Sequence, residues 1–189
     1  VMIGHQDDLM YGHSWKYEEG RSDILEVCGS YPAVMGWDLG GLELGDSCNL
    51  DGVPFDSMKE AIVKADAMGC VITLSWHMRN PVTGGSSWDL SGGNVVREVL
   101  PGGSTHELYK EWTDKCIAFL KSLKDAEGNP IPVVYRPYHE NTGGAFWWGA
   151  LSCEPEDYIS LWKWTVEYMY ACGVHNLLYA YSTDIFKSE

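Results

Sequence analysis

Pro132-Val-Val-Tyr-Arg-Pro-Tyr-His-Glu140 is a short apolar run that breaks into reactive side chains. From Pro132 to Tyr135 the hydrophobicity is continuous rather than alternating, as in a strand buried on both faces of a parallel sheet. Pro137 removes a backbone donor, so the strand ends or turns irregular there, and His139 and Glu140 stand at its mouth. Ala33 to Trp37, Val71 to Trp76 and Leu177 to Tyr181 read the same way, and Met2-Ile3-Gly4 reads as the remnant of one more strand. Each run leads into polar groups. His5, Gln6, Asp7 and Asp8 follow the first, and Asp38 and Glu43 the second. His77 and Arg79 follow the third, and Ser182 and Asp184 the fifth. The amino ends carry nothing comparable.

Helix punctuation fills the gaps. Ser57-Met-Lys-Glu60 and Ser104-Thr-His-Glu107 read as capping boxes, and Pro155 with Glu156 and Asp157 opens a third helix. A weaker helix runs from Ser22 to Cys28 before Gly29. The order βαβαβαβαβ predicts an α/β protein with right-handed crossovers. Reactive groups after five successive strands favour a (β/α)8 barrel, whose site lies at the carboxyl ends of its strands. The rival is an open nucleotide-binding sheet, but no G-x-G-x-x-G or G-K-[ST] loop follows any strand.

Composition narrows the function classes. The 189 residues are 45% hydrophobic and 21% charged, which excludes wholesale disorder. No apolar run reaches the roughly 18 residues of a membrane span. A net charge of −14 repels phosphate backbones and argues against nucleic acid. Nine Trp and eleven Tyr against four Phe suggest a ligand that is part apolar and part hydrogen-bonding. The six cysteines show no metal-ligand spacing, and only Cys48 and Cys153 fall in expected loops, where one surface disulfide would fit. The chain shows no signal-peptide pattern, so the sequence says almost nothing on compartment.

Tyr135 to Gly149 carries the chemistry. Glu140 is followed by two glycines and Phe146-Trp-Trp148, a run costly to expose without a ligand or a cover. Tryptophans beside Glu140 are expected to desolvate it and raise its pKa, which suits a proton donor. Flat indoles also pack on the C–H faces of sugar rings, and an acid beside them suits glycosidic cleavage. Residues 79–104 form a long irregular segment on the same face that carries Trp88, expected as a further sugar platform. His139-Glu140 lacks the second histidine of H-E-x-x-H, and no G-x-S-x-G occurs, so no metal or serine-nucleophile site is expected.

Tyr135-Arg-Pro-Tyr-His-Glu140 with Gly144-Ala-Phe-Trp-Trp-Gly149 resembles the signature of glycoside hydrolase family 26, chiefly endo-β-1,4-mannanases. Gly4-His-Gln-Asp-Asp8 with Tyr11-Gly12, Pro32 to Asp38, Ser75-Trp-His77 and Tyr181 to Asp184 are similar to further parts of that family. The resemblance implies a retaining mechanism on a (β/α)8 barrel, without a cofactor, acting on β-mannan polysaccharide or manno-oligosaccharides. It implies Glu140 as general acid/base, His139 as orienting a sugar hydroxyl or the catalytic carboxylates, His77 as lining the subsite where the bond breaks, and Trp148 with Trp147 as an aromatic wall. A secreted, periplasmic or cell-surface location follows from that substrate class. Mixed-linkage β-glucan, β-1,3-xylan and non-catalytic carbohydrate binding are the alternatives.

One departure stands out. The family's nucleophile is a second Glu after strand seven, and no such strand is expected in this chain. Asp184 and Glu189 are the late carboxylates, and neither matches that position. Strand starts are spaced by about 44 residues, so eight units would need about 350. Residues 1–189 are therefore expected to form the first five βα units of a catalytic barrel, inactive in isolation.

Overall fold

The computed structural model describes residues 1–184. Glu189 therefore lies outside the described residues. The elements follow the order β1 (Gly4–Gln6), α1 (Asp23–Cys28), β2 (Val34–Asp38), α2 (Phe55–Ala67), β3 (Val71–Ser75), α3 (Val95–Val99), α4 (His106–Ser122), β4 (Val133–Arg136), α5 (Pro155–Ala171) and β5 (Leu177–Tyr179). The strands form one parallel sheet in the order β1-β2-β3-β4-β5. These are five consecutive βα units of a (β/α)8 barrel. Register sets Asp38 beside Ser75 and Ser75 beside Arg136, so β2, β3 and β4 finish level with one another.

Helices pack on the sheet because their apolar residues recur on one face. Met58, Ala61, Ile62 and Ala65 of α2 are buried, as are Tyr109, Trp112, Cys116, Ile117 and Leu120 of α4. They meet Met35, Trp37, Ile72, Leu74 and Val133 in one hydrophobic core. Each such aliphatic side chain contributes about 1.5–3 kcal/mol through burial. The helix expected from Ser22 to Cys28 spans Asp23–Cys28: Ser22 caps it by accepting from the Leu25 amide, and Gly29 closes it in the left-handed conformation. Pro155 likewise occupies the first turn of α5.

Four expectations need correction. α2 begins at Phe55 behind Pro54, so Ser57 lies within its first turn and caps nothing. Ser104 does not cap α4 either, because its hydroxyl is taken by Glu98 Oε2 at 2.6 Å. Residues 79–104 are not wholly irregular: they contain α3, and Asn80 staples the preceding loop. The Asn80 amide donates to the carbonyls of Asp89 and Ser91, and its oxygen accepts from the amides of Val82 and Thr83. Cys48 and Cys153 are both free, so the loop disulfide is not formed. No helix among the described residues is long and apolar enough to cross a membrane.

Candidate active site

Asp38 ends β2 as a buried carboxylate with four donors. Its Oδ1 accepts from the amides of Gly40 at 2.7 Å and His77 at 3.1 Å. Its Oδ2 accepts from Ser75 Oγ at 2.6 Å and His77 Nδ1 at 2.7 Å. Burial alone would raise its pKa, but the His77 hydrogen bond and charge, with Ser75 and Gly40, outweigh it and hold the group below its ordinary value. Across the site, His77 Nε2 lies 3.0 Å from His139 Nε2. A continuous line of polar contacts thus joins the ends of β2, β3 and β4.

His139 is buried, and burial, with the charges of His77 and Arg136 adding, lowers its pKa to about 4. The residues on either side of it, Tyr138 and Glu140, both have φ in the left-handed region, at 52° and 54°. Such a conformation persists only where the surroundings enforce it. Tyr138 is held by Thr165 Oγ1 at 2.7 Å, by the Tyr109 hydroxyl, and through its carbonyl by Tyr158 at 2.9 Å. The Glu140 amide donates 2.8 Å to the Ser182 carbonyl after β5. This kinked turn sets the Glu140 side chain out into solvent at the mouth of the strand.

The tryptophans after it behave differently from expectation. Trp147 and Trp148 are fully buried, with no ring face to offer a sugar. Their indole N–H groups donate to the carbonyls of Met78 at 3.2 Å and His139 at 2.9 Å, which draws both rings inward. They brace the turn from behind. Phe146, which the sequence left without a role, stacks on Trp148 at 4.6 Å and meets the edges of His139 and His77 at 5.0 and 5.3 Å.

Trp88 does come to the site. Its ring covers His77, and beside it lies a cavity of about 310 Å³ lined by Asp46, Asn49, Leu50, His77 and Arg79. Asp184 sits against the loop after Glu140, its amide donating 2.9 Å to Thr142 Oγ1. In the sequence Asp38 reads as a strand-end residue, and its link to His77 spans 39 positions, which leaves no local signal. Glu43 is fully buried and structural, accepting from Trp76 Nε1 and from the amides of Gly41 and Arg79. A larger cavity of about 550 Å³, between Tyr17 to Arg21 and α2, shares no lining residue with this site.

Parallel βα units with acid, imidazole and indole groups gathered at the strand ends define a (β/α)8-barrel protein with its site at the carboxyl face. The chain belongs to glycosyl hydrolase family 26, whose model matches residues 1–189. It is 37% identical over 186 residues to a mannan endo-1,4-beta-mannosidase of Bifidobacterium adolescentis, covering 93% of this chain and 18% of that protein. Its structure matches a GH26 beta-mannanase from Bacteroides ovatus with a TM-score of 0.94 and 49% identity, over 97% of this chain and 53% of the other. A modular endo-beta-1,4-mannanase from Cellulomonas fimi matches at a TM-score of 0.85 and 38% identity, over 95% and 41%. The chain spans about half the length of the Bacteroides structure, and less of the other two.

Proposed function

We propose that this chain supplies the acid/base half of a retaining glycoside hydrolase that cleaves internal β-1,4-mannosidic bonds in mannan, galactomannan or glucomannan. The observation that carries it is the Tyr138-His-Glu140 turn, where Glu140 is lifted to the strand mouth next to His139, whose ring meets that of His77. Glu140 protonates the glycosidic oxygen as the bond to the anomeric carbon breaks. A second carboxylate, unassigned among the described residues, takes that carbon. Glu140 as carboxylate then removes a proton from water, which displaces the enzyme and restores the acid. His77 and His139 orient sugar hydroxyls, and Trp88 supplies an apolar platform. Trp147 and Trp148 support these groups from behind.

Hydrolysis of galactomannan by the full-length protein and its Glu140→Gln variant tests this reading. A loss of about 100-fold or more in kcat is expected. Undiminished activity in the variant would remove Glu140 from the mechanism. Parallel assays on mixed-linkage β-glucan and β-1,3-xylan decide the polymer, with β-mannan expected to be the best substrate.

A further inference from the structure

We infer that Asp38 determines which ring nitrogen carries the proton on both His77 and His139, and so acts as a positioning residue two strands away from Glu140. The inference deepens the catalytic reading of Glu140 and rests on it. It follows from counting protons along one line of contacts. The Asp38 carboxylate has only lone pairs to offer, so His77 Nδ1, at 2.7 Å, must bring the hydrogen. With one proton on the ring, His77 Nε2 is then a lone pair. That nitrogen faces His139 Nε2 at 3.0 Å, a hydrogen-bonding distance that requires a single proton between the two. It must come from His139. Every donor in the line therefore points toward Asp38.

Nδ1 of His139 is buried and meets no partner at full hydrogen-bond geometry, and in the order just described it carries the lone pair. Asp38 is fixed against turning away, because the Gly40 and His77 amides and the Ser75 hydroxyl occupy its remaining lone pairs.

Replacing one oxygen by an amide group should reverse the line. In Asp38→Asn the amide oxygen keeps the two backbone donors, and Nδ2 donates to His77 Nδ1. The Ser75 hydroxyl turns to the Trp37 carbonyl, already 3.5 Å away. His77 then carries its proton on Nε2, donates to His139, and leaves His139 protonated on Nδ1. The total number of ring protons is unchanged.

The test is long-range proton–nitrogen NMR on the full-length protein labelled with 15N-histidine, assigned by single histidine replacements. The expected wild-type spectrum shows His77 protonated on Nδ1 and His139 on Nε2. In Asp38→Asn both tautomers invert, and kcat on mannan falls by about 10-fold or more with a smaller change in KM. In Ser75→Ala, which keeps the carboxylate, both tautomers stay as in the wild type. A wild-type His139 protonated on Nδ1, or tautomers unmoved in Asp38→Asn, would overturn the inference. The wild-type spectrum alone decides the first of these if the variant does not fold. An active Glu140→Gln variant would remove the acid/base assignment without changing any tautomer, so the two failures are separable.

Discussion

Trp88 lies flat against His77, with ring centroids 5.3 Å apart and 22° between the planes, while 52% of the residue's surface remains open. One face is braced by a histidine that Asp38 holds in place, and the other is free for a ligand. Trp88→Ala is expected to raise KM for mannan oligosaccharides by about 10-fold, or about 1.4 kcal/mol, with kcat changed less. Trp88→Phe should recover part of the loss. Steady-state kinetics on oligosaccharides of increasing length checks both.

Gly149 and Gly144 flank the buried Phe146-Trp-Trp148 run but differ in what surrounds them. A Cβ at Gly149 would stand 2.5 Å from the Gly143 carbonyl oxygen and 3.0 Å from that of Phe146, both backbone. At Gly144 the three nearest atoms would all belong to the side chain of Leu151, which is exposed and can turn away. Gly149→Ala should therefore cost about 1–3 kcal/mol of stability, and Gly144→Ala within about 0.5 kcal/mol of nothing. Urea unfolding of both variants reads the difference.

Glu43, itself fully buried, satisfies three donors at once: the buried Trp76 Nε1 at 3.0 Å and the part-buried amides of Gly41 and Arg79 at 2.9 and 2.8 Å. Glu43→Ala strands the buried Trp76 N–H and leaves the two amides to water, and should cost about 1–3 kcal/mol. Because the Arg79 amide opens the loop that carries Trp88, KM should rise as well. Chemical denaturation together with mannan kinetics gives the two effects separately.

Asp7 is buried at the end of β1, and burial, with Asp51 and Asp38 adding and the Tyr11 hydroxyl opposing, pushes its carboxyl up to about 7. The folded state therefore holds this proton more tightly than the unfolded chain, whose value is 3.8. Stability from this group is present below about pH 4 and is lost as the pH rises toward 7. Asp7→Asn should flatten that slope, and its stability relative to wild type should improve from pH 4 to pH 7. Melting curves across that window, wild type against variant, test the sign.

The strands were legible because their hydrophobicity is continuous, a property of each short segment by itself. The polar residues after them were legible for the same reason. What lay hidden depends on pairs distant in the chain. Asp38 and His77 are 39 residues apart, and His77 and His139 are 62 apart. Trp147 and Trp148 read as a sugar-facing wall because nothing nearby shows that Met78 and His139 carbonyls receive their N–H groups. α3 escaped because Val95-Val-Arg-Glu-Val99 is too short to show a period. Its one local signal was Asn94, whose side chain accepts from the Arg97 amide. Ser57 misled because Pro54 had already opened the helix two residues before the capping box.

Every strand pair in the sheet joins neighbours in sequence, from β1 with β2 to β4 with β5. A polypeptide leaving the ribosome amino end first can thus add each new strand to an edge that already exists, without waiting for distant partners. The imidazole pair closes only when β4 docks, and the amide of Glu140 finds its acceptor only after β5. The reactive turn would then be completed only after β5 has emerged, on a scaffold of four strands already in place.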